Sequence, residues 1–428
     1  MQKTSIDIYI KTLLTCLAIL FFISIPNIKA SSTKLPINSN EINISAKSAL
    51  AVDTSSRQIL YDKNGNESLP IASVSKLITA SIVLDKIQQH ELSWDTKVKI
   101  APAIAKLSEN SEYTNVPLKS GSSYTVKQLF DASLICSANA AAMALGNHIA
   151  GSSNQFGIMM QNYAKKLDIN DAQLYNACGL TNKLLGDGLT NKSIAPDAEN
   201  KMSAVGIAKI AQKLVNDNPI ILQTTKEKKL NWENKPYQNT NELLGKQEPF
   251  HVDGLKTGTS DSAGENFVAT ATKNGHRIIT VIIGAEKGQR FPQTELMLKA
   301  INNKLKPNSI SNQTKKIRIY NGQQKTSEVK PLEDKTFWLP KQESLQTSIT
   351  ANKKQNWIMA PIKAKQPYGK LTVSSKGNDL YLLPGTKTQV NMIYTKANPL
   401  SYEKVALEIL LVMLIIGLSY LGIKRFKH

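Results

Sequence analysis

Three short constellations carry side chains able to make and break an acyl bond. Ser73-Val74-Ser75-Lys76 opens an apolar helical stretch introduced by Pro70 and Ile71, and the i,i+3 spacing puts the Ser73 hydroxyl and the Lys76 amine on one face. A lysine can take a serine's proton only when neutral, which requires a pKa depressed by burial or by a cationic neighbour. Ser137-Ala138-Asn139 sets a hydroxyl and a carboxamide two residues apart between apolar segments, where they can pass a proton and hold a substrate amide. In Lys256-Thr257-Gly258-Thr259, read as an extended strand, Lys256 and Gly258 share one face and Thr257 and Thr259 the other. Gly258 then leaves its face open for a substrate backbone added as a further strand.

Each pattern alone is weak. Ser31/Lys34, Ser327/Lys330 and Ser401/Lys404 repeat the first spacing in linker, surface and juxtamembrane contexts. Ser108-Glu109-Asn110 and Ser152-Ser153-Asn154 repeat the second in polar loops, where capping suffices, and Lys119-Ser120-Gly121 resembles the third in a turn. The five histidines form no His-Glu-x-x-His pair and no Gly-x-Ser-x-Gly elbow occurs, so a Ser-His-Asp hydrolase has little support and no metal or cofactor is expected.

The elements that must position these groups are legible as patterns. Residues 48–64 read as strand, turn and strand, a hairpin. Helical periodicity follows over 76–88, 126–149, 155–167 and 203–215. Strands return at 266–272 and 277–284, with Gly275 as the turn between them. This predicts an α+β catalytic domain over 43–303, a helical cluster plus an antiparallel sheet. Beyond Pro307 short segments at 316–320, 336–339, 369–374 and 379–383 predict a small all-β domain over 308–396.

The chain is 428 residues long and carries a net charge of +20. Residues 301–400 hold 17 Lys/Arg and 5 Asp/Glu, +12, so over half of the excess sits in the β domain. Its aromatics are scattered rather than interleaved, which argues against nucleic acid and for anionic wall polymers or lipids. Lys3, Lys11, an apolar run over 12–25 and Ala30 predict a signal peptide at 1–30, followed by a linker at 31–42. An uncleaved anchor is the alternative there. Residues 405–423 are nineteen in number and nearly all apolar, long enough for roughly 28 Å of membrane, and Lys424, Arg425 and Lys427 predict a cytoplasmic tail at 424–428. Glu408 is the one flaw, and a peripheral helix the alternative. The body is thus expected on the extracellular face of the cell membrane. Cys136 and Cys178 read as solitary buried thiols rather than a disulfide framework.

In order, and with gaps of 64 and 119 residues, the three constellations resemble the penicillin-recognising serine acyltransferases. The segments around them, 124–139, 176–180, 239–244 and 253–271, narrow the resemblance to the low-molecular-mass penicillin-binding proteins, the serine-type D-alanyl-D-alanine carboxypeptidases. The likeness covers residues 45–303 strongly and the β domain and anchor less specifically. It implies peptidoglycan stem peptides ending in D-Ala-D-Ala as substrate and β-lactams as covalent inhibitors. It further implies Ser73 as nucleophile, Lys76 as base, Ser137 as proton shuttle, Asn139 as the group orienting the substrate amide and Lys256 as an electrostatic residue. Thr257, Thr259 and Arg290 would meet the terminal carboxylate, and the N–H groups of Ser73 and Thr259 would form the oxyanion hole. Ala140 departs from the usual acidic residue, Cys178 from a common Thr, and Ser75 from the usual Thr. A class A β-lactamase is the alternative, with Glu227, Leu230 and Asn231 matching its extra motif in letters but lying in a polar, lysine-rich segment. A non-catalytic wall-binding protein on the same fold is another.

Overall fold

A computed structural model describes residues 35–425 apart from 247, 353–357 and 377. The expected signal peptide, the start of the expected linker and the last three residues of the tail lie outside the described residues. The chain begins with a hairpin, β1 (Ser48–Asp53) and β2 (Ile59–Lys63), with a bulge at Ala51/Val52. A single 3₁₀ turn, Ala72–Ser75, leads into α1 (Lys76–Gln88). Then come α2 (Pro102–Glu109), α3 (Val126–Leu134), α4 (Asn139–Ala150), α5 (Ser153–Lys166), α6 (Ala204–Asp217) and the short α7 (Ile221–Thr225). The chain returns through β3 (His251–Ser260), β4 (Gly264–Lys273) and β5 (His276–Ala285), and closes the catalytic unit with α8 (Arg290–Lys304).

These five strands form one sheet in the order β2-β1-β5-β4-β3, with every neighbouring pair antiparallel, so β3 lies at a free edge. Residues alternate between two cores, as the period of a strand requires. Val268, Ile279 and Val281 pack with the helical cluster around α1, α4 and α6, while Phe267, Ala269 and Ile282 pack with Met297 and Ile301 of α8. Burial on both faces explains why 277–284 reads as a continuous apolar run rather than an alternating one. Gly275 supplies the β4–β5 turn at φ +79°.

Two expectations change here. The periodicity over 126–149 predicts one helix, but the chain breaks it at 135–138, where Ser137 adopts φ +64° between α3 and α4. Part of the expected linker is structured as well: Ile37 is fully buried in the core under α8, its N–H donating to Leu60 O at 3.2 Å.

The C-terminal unit is built on β6 (Leu305–Ser309), β7 (Lys315–Tyr320), β8 (Thr326–Pro331), β9 (Thr336–Pro340), β10 (Leu345–Ala351), β11 (Ile358–Met359), β12 (Pro367–Ser375) and β13 (Gln389–Tyr394). Six of them form a sheet ordered β10-β12-β13-β8-β7-β11, and β6 pairs with β9. The segment over 379–383 is not a strand; Leu382 makes a single bridge to Gln58. A long helix, α9 (Tyr402–Arg425), ends the described chain, and its largely apolar stretch Tyr402–Leu421 has none of its residues buried and is long enough to cross a membrane.

The two units share a buried polar clasp. The Gln58 carboxamide donates to Trp338 O at 2.9 Å and accepts from Trp338 N at 2.7 Å, while Trp338 Nε1 donates to Asp53 Oδ2 at 2.9 Å. The indole itself lies in the core beneath α8. Replacing it by phenylalanine keeps most of the packing and strands the Asp53 acceptor. Trp338→Phe should therefore lower the unfolding free energy by about 1–3 kcal/mol in urea titration, with fluorescent-penicillin labelling retained. An unchanged midpoint would show that the indole–Asp53 bond adds nothing to stability.

Candidate active site

The nucleophile turn is held in an unusual backbone shape. Ala72 has φ +45°, a conformation that non-glycine residues keep only when the surroundings enforce it. Its carbonyl accepts from Ser75 Oγ at 2.7 Å, and Ser75 Oγ in turn accepts from Asn200 Nδ2 at 2.9 Å. Gly179 presses against the same carbonyl, where a Cβ would fall 1.9 Å from Ala72 O. From the other side Asn266 Nδ2 donates to Pro70 O at 3.0 Å, joining β4 to the turn. Because residues three apart eclipse in a 3₁₀ turn, Ser73 and Lys76 come together directly.

Lys76 is the centre of the site. It is fully buried, and its Nζ lies 2.7 Å from Ser73 Oγ, 2.7 Å from Asn139 Oδ1 and 3.0 Å from Cys178 O. Burial lowers its pKa from 10.5 to about 8, partly opposed by the Cys178 and Cys136 thiols. An ammonium donates to all three acceptors. A neutral amine has two hydrogens, which the carbonyl oxygens of Asn139 and Cys178 can take, leaving its lone pair toward the serine hydroxyl.

Ser137 and Asn139 are delivered by the break between α3 and α4. Asn139 is the first residue of α4, its N–H bonded to Thr114 O at 3.0 Å, and Asn115 Oδ1 accepts from Ala140 N at 2.8 Å. Ser137 is buried, and its hydroxyl makes no protein hydrogen bond among the described residues.

The third constellation lies on the edge strand β3. Lys256 is buried with Nζ 2.9 Å from Thr257 O, and its pKa is driven well below 10.5 by burial first and by the charge of Lys76 second. Gly258 does not leave its face open for a substrate, as the sequence pattern suggested, because the nucleophile turn fills that space. A Cβ there would lie 2.8 Å from Ile71 O, 3.1 Å from Val74 N and 3.2 Å from Ser73 N. What remains for an added strand is the free edge of β3. Thr257 Oγ1 donates to Thr240 Oγ1 at 2.6 Å, while Thr259 Oγ1 and Gly258 O accept from Arg290 at 2.9 and 3.1 Å.

Arg290 begins α8 and is largely buried. Its Nε lies 3.3 Å from Glu265 Oε2, an ion pair without hydrogen-bond alignment, and its guanidinium sits 5.4 Å over Phe291. Burial lowers its pKa, opposed by Glu265 and Glu242. Glu265 stands directly opposite Thr259 in the β3–β4 register, which is why one guanidinium reaches both.

Thus the structure brings Ser73, Lys76 and Asn139 into one hydrogen-bonded group, sets Gly258 against it, and ties Arg290 to Thr259. Asn200, Asn266, Thr240 and Glu265 were not singled out from sequence. The first three look like ordinary loop or strand polar residues, and no local pattern distinguishes them. Cys136 and Cys178 are free and buried, and burial pushes the Cys136 thiol up to about 11. Glu227 is exposed beside a small hairpin, Lys229–Trp232 with Lys235–Gln238, which removes the resemblance to a β-lactamase base.

A helical cluster on an antiparallel sheet, with a buried Ser–Lys dyad between them and a Lys-Thr-Gly edge strand, defines a penicillin-recognising serine acyltransferase. The chain belongs to the D-alanyl-D-alanine carboxypeptidase family: the profile so described, peptidase S11, matches residues 33–287. A second, described as the C-terminal domain of penicillin-binding protein 5, matches 304–397. The D-alanyl-D-alanine carboxypeptidase DacD of Escherichia coli is 29% identical over 80% of this chain and 85% of its own. DacF of Bacillus subtilis is 27% identical over 80% of this chain and 84% of its own. Among solved structures, a peptidoglycan synthesis regulatory factor (PBP3) from Streptococcus pneumoniae superposes with TM-score 0.74 at 31% identity, covering 83% of this chain and all of that one. Penicillin-binding protein D2 of Listeria monocytogenes in its cefotaxime-bound form superposes with TM-score 0.52 at 29% identity, covering 61% of this chain and 99% of that one.

The contact between Gly258 and the nucleophile turn gives a sharp test. Gly258→Ala must push β3 away from Ser73, and a displacement approaching 1 Å costs on the order of 100-fold in acylation. Stopped-flow labelling with fluorescent penicillin should show that loss with little change in melting temperature. Acylation within threefold of the parent would mean that the strand need not touch the turn.

Proposed function

We propose that the protein removes the terminal D-alanine from peptidoglycan stem peptides by way of an acyl-enzyme on Ser73, and that β-lactams trap the same serine. The observation that carries this reading is the Lys76 amine, fully buried and 2.7 Å from Ser73 Oγ. Neutral Lys76 takes the serine proton as Oγ attacks the penultimate carbonyl, and the N–H groups of Ser73 and Thr259 receive the developing oxyanion. Ser137, whose hydroxyl has no protein partner among the described residues, passes a proton to the departing amine. Asn139 holds Lys76 through its carbonyl and offers its amide nitrogen to the substrate, while Lys256 tunes the electrostatics of the site. Thr257, Thr259 and Arg290 meet the free carboxylate, a charge-assisted contact suited to the guanidinium fork. Water then hydrolyses the acyl-enzyme.

A wall-binding protein without activity would have no need of a buried lysine next to a serine, since burying an amine costs stability. The apolar α9, followed by Lys424 and Arg425, supports an anchor whose body lies outside the cell membrane, with the signal peptide removed.

The sign of the pH dependence follows from the base. Lys76 is competent only when deprotonated, so acylation should rise nearly tenfold per pH unit below about 8 and level off above it. Ser73→Ala should abolish penicillin labelling, and Lys76→Arg should come close, because a guanidinium does not deprotonate in a protein. A flat profile across this range would place the base elsewhere.

Carboxylate recognition is tested separately. Arg290→Ala should cost about 10- to 150-fold in kcat/KM on peptides ending in D-Ala-D-Ala, and much less on the C-terminally amidated peptide. Equal losses on both would assign Arg290 to holding β3 and Glu265 in place.

A further inference from the structure

We infer that the end of the β domain from which α9 departs is a lipid-facing surface that binds anionic headgroups. The inference rests on the reading of α9 as a membrane span and adds the surface that seats it. The helix is locked to the turn after β7 rather than tethered: Ser401 N donates to Asn321 O at 2.7 Å, and Lys404 Nζ to Gly322 O at 2.6 Å. Asn321 Nδ2 donates to Glu408 Oε2 at 2.9 Å. Glu408 lies inside the apolar stretch by sequence, yet its carboxyl group is bonded to a polar turn of the β domain and so sits at the level of that turn.

Length then fixes where the turn must lie. With Glu408 outside the hydrocarbon, only 409–423 remain to cross it, fifteen residues before Lys424. At 1.5 Å per residue they reach about 22 Å, against a core of about 30 Å. The shortfall draws the turn down into the headgroup layer.

The chemistry of this end fits that position. Lys325 closes the turn, Lys363 follows Ile362, which bridges Asn398, and Lys396 precedes that asparagine, whose side chain holds Gln324 on both its N–H and its carbonyl. All three lysines are exposed. Met359, which pairs with Tyr320 in the sheet, is 59% exposed. Glu403, Glu328 and Glu408 are the exposed carboxylates nearby, against Lys325, Lys363, Lys396 and the turn-bound Lys404, so the balance around the turn is cationic by one charge. Lysines beside an apolar residue match a layer of anionic headgroups over hydrocarbon.

Single-cysteine labelling tests this in the full chain carrying Cys16→Ser, since Cys136 and Cys178 are buried. Met359→Cys reports on the turn. Leu332→Cys, which is exposed and lies just past the far end of β8, roughly 20 Å along the strand from Thr326, serves as control. In phosphatidylglycerol-containing vesicles, headgroup-attached quenchers should reduce the Met359→Cys label at least about threefold more than the control. Combining Lys325→Glu, Lys363→Glu and Lys396→Glu, or using phosphatidylcholine alone, should reduce the difference to the part that the helix length sets, while Ser73 still takes fluorescent penicillin. Equal quenching at both positions, with protein retained in carbonate-washed vesicles, overturns the surface and leaves the anchor standing. Quenching indifferent to lipid charge overturns the headgroup assignment. Release by the carbonate wash overturns the anchor and the surface together.

Discussion

Everything in the catalytic unit answers to one constraint: a lysine amine must be kept dry and still be able to accept a proton. Lys76 meets it at the first residue of α1, between the sheet and the helical cluster, with three oxygens around its nitrogen. Removing an ammonium from water disfavours its charge, and that same cost makes the neutral base available near pH 8. The three partners come from three parts of the chain: the nucleophile turn, the start of α4 and the loop at Cys178. No two of them are neighbours in sequence, so the base exists only when the helical cluster has closed on the sheet.

A second lysine is buried beside it. Lys256 is also dry, and the charge of Lys76 is the second cause of its lowered pKa. Two cations in one low-dielectric site repel, so the charge of Lys76 favours the neutral state of Lys256. The negative groups of this region, Glu265 and Glu242, bear on Arg290 instead. The charges are thus divided between the two faces of β3: amines toward the nucleophile, and a compensated guanidinium toward α8.

This division also decides what could be read from the sequence. The span of α1 was legible to the residue because its apolar stretch is introduced by Pro70 and Ile71 and is buried along most of its length. The break at 135–138 was not, since its residues continue the apolar period and only the left-handed conformation of Ser137 interrupts it. The three motifs were legible because their chemistry is local. Asn200 and Asn266 were hidden because they act on Ser75 Oγ and Pro70 O from 125 and 196 residues away. The role of Gly258 was misread for a related reason: a strand pattern shows which residues share a face, but not which part of the chain lies on it. In the β domain, the segment over 379–383 had the composition of a strand yet makes only isolated bridges, one of them from Leu382 to Gln58 of the catalytic unit.

The edge strand β3 links attack to end recognition. Gly258 touches the backbone of Ser73, and its own carbonyl and the next side chain, Thr259, are bonded to Arg290. In the proposed reaction, nucleophile and carboxylate site are therefore separated by little more than one residue of strand, about 3.3 Å. That is the spacing of a single residue beyond the scissile amide. Just past Thr259 the strand ends at Ser260 and turns into β4, with Arg290 lying across the turn and paired to Glu265. In the proposed reaction a peptide laid along β3 then meets a largely buried guanidinium one residue after the amide that Ser73 attacks. On the proposed reading, a free carboxylate adds a charge-assisted contact to that guanidinium, whereas a continuing chain would offer it only a neutral amide. On the proposed reading, a preference for releasing one terminal residue, rather than cutting within a chain, would follow from where the strand stops and which charge stands at its end.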